Sequence, residues 1–466
     1  MFGTDEQKKE FLPKLADGQL SAFALTEHNA GSDPAKLSTV AEPTPDGKHY
    51  VINGEKLWCT NGTKAKWMVV MARTPAPEGS KRGKKGISAF IVDAESAGVE
   101  VLNRSRFMGL RALYNGVIKF TDVKVPAENL IAGLGAGLRV ALTTLNTGRL
   151  TLPSTCVGVA KRSLEMTRKW AKDREQWGSA IGKHAAIAEK IAVMASDTYA
   201  MEAMALLTSG LADRKTYDFR VEAAMCKMWC SERTWDIVNE TLQIRGGRGY
   251  ETWDSLEQRG DEPTPIERNV RDCRINLIFE GSSEIMRLFI AREALDPHLK
   301  RSIDALNPKN PIGKRLSGAM KAGGFYATWY PKQWLPLGTS GGLDGALGKY
   351  VSYASRTSHR LARRLFHTMA RFGPKLEQQQ PLLGRFVDIG TELFAISAVC
   401  SKADHDLRTG KNRNEILALV DHFCRGAKRR IHESFRGIRD NDDRRGYRLA
   451  QDLLDGNSMW LEEGMV

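Results

Sequence analysis

Three features that would narrow the function are missing from this sequence. No run of about 18 apolar residues occurs, which excludes a membrane-spanning helix. The seven cysteines are odd in number and include no Cys-x-x-Cys pair, so we expect reduced thiols rather than a disulfide framework or a zinc site. The first residues lack the basic, apolar and small-residue order of a signal peptide, and no internal repeat occurs. We therefore expect a cytoplasmic protein without a metal.

The positive charge is concentrated in the last third of the chain. Residues 301–466 hold 27 Lys and Arg against 17 Asp and Glu, a net charge of +10, whereas residues 1–300 carry only +4. An anionic partner is therefore expected in the last third, if anywhere. A solvated helical surface is the commoner explanation of such charge.

The residue pattern changes several times along the 466 residues, a length that favours roughly two to four domains. It predicts an α+β multidomain protein, in which a β-barrel or sandwich precedes an antiparallel bundle of four helices and a C-terminal helical extension. Asn53-Gly54 between alternating residues is a hairpin signal. The predicted parts are a short helix in 1–20, the β domain in 21–135, the bundle in 136–300, a linker in 301–344 and a C-terminal helical domain in 345–466.

A single carboxylate, Glu280, is the strongest candidate for chemistry. It lies between Phe279 and Gly281 at the end of an apolar run, just before hydroxyl residues that suit a helix N-cap. Apolar surroundings disfavour the charged form of a carboxyl group, which favours a general base. An acid at a helix N-terminus, favoured by the dipole, is the alternative.

Four other segments have weaker signals. Hydroxyls and small residues from Thr26 to Asp33 suit an anion or cofactor cradle, and Trp58 to Gly62 places an aromatic face beside a hydroxyl. Arg174 to Gly178 closes a helix with donor groups, and Gly246 to Gly249 lets backbone approach a ligand closely. Taken alone, each also fits a plain turn, a core Trp or a capped helix end.

In this order the segments resemble the acyl-CoA dehydrogenase family of flavoproteins, from about Gly3 to Leu299. The resemblance implies a helical domain, a β-barrel and a four-helix bundle, with FAD held between barrel and bundle. Glu280 then corresponds to the catalytic base, in a motif usually written Tyr-Glu-Gly. Some members carry the base before the arginine that matches Arg149, but Gly148 stands there, so no rival carboxylate is present.

The resemblance also implies the binding residues, with part of the FAD site shared across a dimer interface. Departures are His28, where proline is common, and Lys36, where a small residue is usual. The positions that match acyl-CoA contacts are Ser32, Asn146, Arg149 and Gly281. The positions that match FAD contacts are Leu25, Thr26, Gly31, Ser32, Trp58, Thr60, Arg174, Gln176, Gln243, Gly246, Gly247, Ser282 and Glu284.

The implied reaction is α,β-dehydrogenation of a fatty acyl-CoA to a trans-2-enoyl-CoA. Glu280 would take the α-proton, hydride would pass to flavin N5, and an electron-transferring flavoprotein would receive the electrons. The Asn146–Arg149 segment and the extension look most like the very-long-chain branch, which implies a long-chain substrate and a homodimer. That branch uses its extension at membrane surfaces, and the aromatic-basic stretch Phe325–Trp334 fits either such a contact or a loop packed on the bundle.

Two alternative functions and two departures from the family pattern also follow from the sequence. An acyl-CoA oxidase would differ in letting oxygen reach the reduced flavin. DNA binding by the basic last third is less favoured, because Asp and Glu are plentiful there; the arginines that motivate it are Arg363, Arg364, Arg425, Arg429 and Arg430. Most of the family's N-terminal helical domain is expected to be absent, and Gln258–Pro265 reads as an inserted loop.

Overall fold

A computed structural model describes residues 1–75, 86–214, 216–307, 309–335, 340–343 and 345–464. The chain forms two compact units, Met1–Arg149 with Glu267–Gly281 and Leu150–Ile266 with Ser282–Val466. The first unit contains the strands of the predicted β domain, and the second contains most of the helices.

A short helix and eight strands make up most of the first unit. The helix begins at a capping box, in which Thr4 and Gln7 exchange side-chain to backbone hydrogen bonds, as a short amphipathic helix requires. The elements are α1 (Asp5–Ala16), β1 (Ser21–Ala24), β2 (Val40–Pro43), β3 (His49–Cys59), β4 (Trp67–Thr74), β5 (Gly86–Asp93), β6 (Val99–Arg104), β7 (Gly116–Pro126) and β8 (Leu130–Ile131).

The eight strands form one mixed sheet that is not a closed barrel within the described residues. Its order is β6-β7-β3-β2-β4-β5-β8, with β1 pairing parallel to β4. Its two edge strands, β6 and β8, do not pair with each other in the described sheet. Strand β6 is largely exposed, and β8 has only two residues. The predicted β domain is therefore correct, whereas barrel closure is not observed.

The Asn53-Gly54 hairpin prediction is wrong. Both residues lie inside β3, which pairs with β2 through the turn between Pro43 and His49. Gly54 has φ 150° and marks a register shift against β7. A Cβ there would lie 2.7 Å from the Thr39 backbone, so glycine is needed for close approach, as in a bulge, and not for a turn.

Helices dominate the rest of the chain, as the helical spacing predicts. The longest, α2, has 37 residues, and begins in the first unit and ends in the second. The elements are α2 (Gly137–Asp173), β9 (Glu175–Gln176), β10 (Ser179–Ala180), α3 (Ala185–Asp213), α4 (Arg220–Arg245), α5 (Gly247–Tyr250), α6 (Trp253–Gln258), α7 (Ile266–Cys273), α8 (Ser283–Leu306), α9 (Ile312–Lys332), α10 (Gly345–Phe372), α11 (Gln380–Arg408), α12 (Arg413–Gly437) and α13 (Asp443–Leu454).

The C-terminal helices share one hydrophobic core with the bundle helices of the second unit. Trp229 of α4 packs edge-on against Phe423 of α12, with ring centroids 5.8 Å apart. Its indole N–H donates to Glu392 Oε1 at 3.1 Å, and the same carboxylate accepts two bonds from Arg430. The extension is thus joined to the bundle by apolar packing and by the hydrogen bond from Trp229 to Glu392.

The predicted linker 301–344 contains helix α9. Its rings pack on neighbouring helices of the same unit: Trp329 lies 5.0 Å from His298 of α8, and Tyr330 lies 5.0 Å from Phe366 of α10, centroid to centroid. This packing offsets the low helix propensity of Gly323 and Gly324, which the sequence pattern took as a sign of irregular chain. Of the two open interpretations of the aromatic stretch, packing on the helices is the observed one, as a helix rather than a loop.

Three expected absences can be compared with the described residues. None of their helices is long and apolar enough to cross a membrane. They include no group of three or more His, Cys, Asp or Glu suited to a metal ion. All seven cysteines are buried and outside any disulfide, and the thiols of Cys226 and Cys230 lie 3.9 Å apart inside the core.

Candidate functional site

Glu280 lies on a sharp turn at the end of the first unit. Helix α7 continues into a 3-10 turn, Arg274–Leu277, after which Glu280 has φ 57° and Gly281 has φ 92°. A non-glycine residue in this left-handed region carries a conformational cost of about 1 kcal/mol or more, which is typical of residues held in place for a function. The turn fixes the direction in which the carboxyl group leaves the backbone.

The Glu280 carboxylate lies against Gly148 of α2. A Cβ added to Gly148 would be 2.8 Å from Glu280 Oε2 and 3.1 Å from Cδ, so any side chain there would occupy the space of the carboxylate. In the sequence, Gly148 only showed that a rival acid is missing. The structure gives it a positive role, since its missing side chain leaves room for Glu280.

Arg149 and Asn146 complete this cluster. Arg149 is buried, and its Nη1 donates to Asn146 Oδ1 at 2.9 Å. Burial lowers the pKa of Arg149, and the charge of Glu280 opposes that shift. The structure therefore brings together the predicted base, Glu280, and two predicted substrate contacts, Asn146 and Arg149, around one glycine.

A neighbouring loop holds the segment that leads to Glu280. The backbone N–H of Leu110 donates to Asp272 Oδ1 at 2.6 Å, and Arg271 Nη1 donates to the Met108 carbonyl at 3.1 Å. Gly109 between them packs so closely on the Arg271 backbone that a Cβ would clash. Sequence reasoning did not assign these contacts, because they join residues about 160 positions apart.

A buried ion pair, Glu27 with Lys56, joins two predicted FAD-contact segments. Lys56 Nζ lies 2.6 Å from Glu27 Oε1, with the Lys56 side chain 0% and the Glu27 side chain 4% exposed. Lys56 also donates to the Leu25 carbonyl at 3.3 Å, and the Leu57 N–H donates to the Thr26 carbonyl at 2.8 Å. The pair thereby holds the Leu25–Thr26 segment against strand β3, which contains Trp58.

Glu27 stays charged in spite of its burial. Burial alone would raise its pKa, but Lys56 and hydrogen bonds from Ser38 and Thr39 lower the pKa to about 2. The sequence analysis missed both residues of the pair. The available signal was Lys56 at a core-facing position of a strand, where an unpaired lysine would be costly.

The part of the first unit predicted to meet the flavin presents suitable groups. Trp58 has φ 53° and is 56% exposed, while the adjacent Cys59 is buried. Thr60 is exposed, and its Oγ1 accepts from Asn115 Nδ2 at 2.9 Å. Gly31 and Ser32 are also exposed, and a Cβ on Gly31 would meet nothing within 4 Å. An aromatic face beside a hydroxyl and an open glycine turn fit a planar, hydrogen-bonding cofactor.

The second unit holds the residues predicted to bind the ADP half of FAD. Gly246 ends α4 with φ 61°, and Cβ atoms on Gly246 and Gly247 would meet nothing within 4 Å. Gln243 is exposed beside them, and Gln176 is exposed in the β9–β10 hairpin. Two further predicted residues lie at the start of α8, where Ser282 accepts from the Ile285 N–H at 3.4 Å and Glu284 is exposed.

An arginine cluster around Trp170 fits the phosphates of such a cofactor. The guanidinium carbons of Arg245, Arg248 and Arg174 lie 4.8, 5.5 and 5.8 Å from the Trp170 ring. Arg245 is only 4% exposed, and within the described residues its Nε and Nη2 find no hydrogen-bond acceptor. A buried cation with unused donors suits an anionic ligand. Arg245 and Trp170 were not predicted, since both lie just outside the segments Arg174–Gly178 and Gly246–Gly249 that the sequence singles out.

The arginines that suggested DNA binding are mostly engaged within the protein. Arg430 pairs with Glu392 at 2.7 Å and Arg425 with Asp421 at 2.6 Å. Arg363 donates to the Gln333 carbonyl and stacks on Trp334. The nucleic-acid hypothesis thus loses three of its five motivating side chains.

Comparison with known proteins supports the same family over most of the chain. Residues 22–123 match the acyl-CoA dehydrogenase middle domain, and residues 135–295 match the acyl-CoA dehydrogenase C-terminal domain. The probable acyl-CoA dehydrogenase FadE10 of Mycobacterium tuberculosis is 48% identical over 468 residues, which cover 100% of this chain and 72% of that protein.

A mouse protein and one solved structure extend this similarity. The mitochondrial very long-chain specific acyl-CoA dehydrogenase of Mus musculus is 33% identical, covering 95% of this chain and 66% of its own length. An acyl-CoA dehydrogenase from Bacillus anthracis, solved in complex with FAD, superposes with a TM-score of 0.76 at 30% identity and covers 97% of this chain and 74% of that one. This chain belongs to the acyl-CoA dehydrogenase family of enzymes.

Proposed function

We propose that the protein catalyses FAD-dependent α,β-dehydrogenation of a long-chain fatty acyl-CoA to a trans-2-enoyl-CoA. The observation that carries the proposal is the Glu280 carboxylate seated against Gly148 and beside Arg149. A carboxylate on a left-handed turn, packed against a glycine, supports the role of a positioned general base. A helix-terminal acid would need none of these features.

The residues of this chain supply proton transfer and positioning. Glu280 takes the α-proton of the thioester, and its backbone N–H donates to the thioester carbonyl oxygen, where negative charge develops. Arg149 balances the charge of the carboxylate, and Asn146 holds the guanidinium in place. Bound FAD would supply the hydride acceptor for the β-hydrogen. Trp58 and Thr60 would hold its ring system, and Arg174, Gln176, Gln243, Gly246 and Gly247 its ADP half.

The proposals of a long-chain substrate and of an electron acceptor are based on similarity to relatives. The mouse relative is specific for very long chains, and the similarity extends through the C-terminal helices that pack on the bundle. We propose an electron-transferring flavoprotein as the acceptor, which separates a dehydrogenase from an acyl-CoA oxidase. Hydrogen peroxide formed in step with substrate consumption in air would favour the oxidase.

The test is reduction of the bound flavin. Purified protein should be yellow, and anaerobic palmitoyl-CoA should bleach the flavin, with a trans-2-enoyl-CoA as product. A series of acyl-CoAs of increasing length then identifies the preferred chain. A protein that binds flavin but is reduced by no acyl-CoA would contradict the proposed activity.

We further propose a homodimer whose interface includes Trp177. This residue has φ 51°, is 91% exposed, and lies beside Gln176 in the β9–β10 hairpin, where the resemblance places a shared FAD site. Exposed aromatic side chains are typical anchors of protein interfaces. Trp177→Ser should shift the sedimentation coefficient from dimer to monomer and weaken flavin retention.

Trp460→Ser is the matched control for this test, because Trp460 is also largely exposed but lies in the C-terminal 3-10 helix. It should leave the assembly and the flavin content unchanged. A monomeric wild-type protein, or a dimer that survives Trp177→Ser, would refute this interface.

A further inference from the structure

Two adjoining cavities in the second unit form a groove between the α10 helix and the C-terminal end of α12. Their volumes are about 600 and 420 Å³, and Arg364 and Arg439 line both of them. Their combined size is in the range of small-molecule sites. Neither cavity includes any residue of the predicted flavin or acyl-CoA sites.

Arginines form much of the lining of this groove, and helical spacing places several of them on one face of α10. On α10, Arg360, Arg364 and Arg371 recur at intervals of four and seven, so they share one face. Arg436 lies in the last turn of α12, and Arg439 follows two residues after the end of that helix. The seven arginines that line the two cavities are Arg360, Arg364, Arg371, Arg436, Arg439, Arg444 and Arg445.

Few carboxylates balance these cations. The cavities are lined by three acids, of which Asp443 is engaged by Arg385 and Asp442 lies 3.4 Å from Arg445 in an exposed pair. Among the described residues, no carboxylate lies within 4.0 Å of the other six groove arginines. Like charges on one helix face destabilise the fold, so such a cluster indicates that an anion offsets it.

The groove is held open by contacts that do not consume its donors. The Arg360 guanidinium lies over Phe435, 4.2 Å from the ring centroid, a contact that uses the face of the cation and not its N–H donors. Arg385 makes two bonds to Asp443, at 2.6 and 2.7 Å, and so fixes the turn that carries Arg439. Phe372, Leu382 and Ile438 supply an apolar floor.

We propose that this groove binds a compact anion that carries two or more phosphate groups. Guanidinium groups recognise phosphate through paired N–H donors, and two cavities sharing Arg364 and Arg439 provide for neighbouring phosphates. A short groove favours a small phosphorylated molecule over a nucleic-acid duplex, which needs an extended basic surface. The phosphates come either from a free solute or from adjacent lipid headgroups.

The experiment uses the full chain with its flavin and two probes. Inorganic pyrophosphate is titrated calorimetrically at two salt concentrations, and sedimentation is measured with phosphatidylcholine vesicles that do or do not contain phosphatidic acid. The test variant is Arg364→Gln/Arg439→Gln. The control is Arg356→Gln/Arg429→Gln, which changes one exposed arginine on α10 and one on α12, both outside the cavities.

We expect the test variant to lose at least about tenfold in affinity for pyrophosphate or for the anionic vesicles, and the control to bind as wild type does. Affinity should fall steeply with salt, and pyrophosphate should raise the melting temperature of wild type but not of the test variant. A response to pyrophosphate alone identifies a solute, and a response to vesicles alone identifies a headgroup. Equal binding by both variants, no binding of either probe, or a DNA duplex that displaces bound pyrophosphate more effectively than pyrophosphate itself overturns the proposal.

Discussion

Replacing Glu280 by glutamine should slow anaerobic bleaching of the flavin by palmitoyl-CoA by a factor on the order of 10³. The amide keeps the shape of the side chain but cannot accept a proton at that position. Stopped-flow absorbance of the flavin measures the rate directly. Because the change is isosteric, flavin content and circular dichroism should match the wild type.

The contact between Glu280 and Gly148 predicts the effect of a second substitution on the same rate. A methyl group at Gly148 would lie 2.8 Å from Glu280 Oε2, so Gly148→Ala should push the carboxylate aside and slow bleaching by about 10²-fold, as misplacement near 1 Å does. Gly158→Ala is the matched control on the same helix, since a Cβ there meets nothing within 4 Å. Its rate should equal that of the wild type.

Bleaching that survives in Glu280→Gln would show that another group takes the proton. A Gly158→Ala variant as slow as Gly148→Ala would instead assign the effect to the helix and not to the carboxylate. A rate for Gly148→Ala between those of wild type and Glu280→Gln supports the placement seen in the structure.

Lys56→Met should destabilise the protein by about 3–5 kcal/mol, because it leaves the Glu27 carboxylate buried without its cation. Urea unfolding, monitored by tryptophan fluorescence and by circular dichroism, measures the loss. Lys119→Met is the matched control, since Lys119 is an exposed lysine on the neighbouring strand β7. A loss below about 1 kcal/mol for Lys56→Met would contradict the structural role of the pair.

The same pair predicts a pH dependence with a definite sign. The pKa of Glu27 falls from 4.5 to about 2 in the folded protein, so folding favours its charged form. The stability that this group contributes is fully present above about pH 4.5 and is lost as the pH falls toward 2. Glu27→Gln should be less stable than wild type near neutral pH, and this difference should shrink between pH 4.5 and 2. A constant difference across that window would contradict the assignment.

The sequence predicted the parts of the candidate site that depend on local pattern. Glu280 stands out because an acid between Phe279 and Gly281 interrupts an apolar run just before a helix cap. Asn146 and Arg149 lie three apart, which places them on one face of α2, where the structure joins them by a hydrogen bond. Helix periods predicted most bundle helices for the same local reason.

What the sequence could not predict depends on contacts between distant segments. The Glu27–Lys56 pair joins the loop after β1 to strand β3 across 29 positions, and neither segment contains a signal that points to the other. The sequence around Gly54 predicts a turn, but glycine is required there because the Thr39 backbone packs against it. Helix α9 forms because His298 and Phe366 supply partners for its rings, which propensity alone does not include.

The burial of every cysteine makes the thiols natural reporters of opening. A thiol-reactive dye reaches Cys59 or Cys273 only when the first unit opens, and Cys400 or Cys424 only when the second does. Labelling rates resolved by peptide mass would therefore give each unit its own opening free energy from a single unmodified protein. Slower labelling of Cys59 in the presence of flavin would measure how much the cofactor raises the opening free energy of the segment between Lys56 and Thr60.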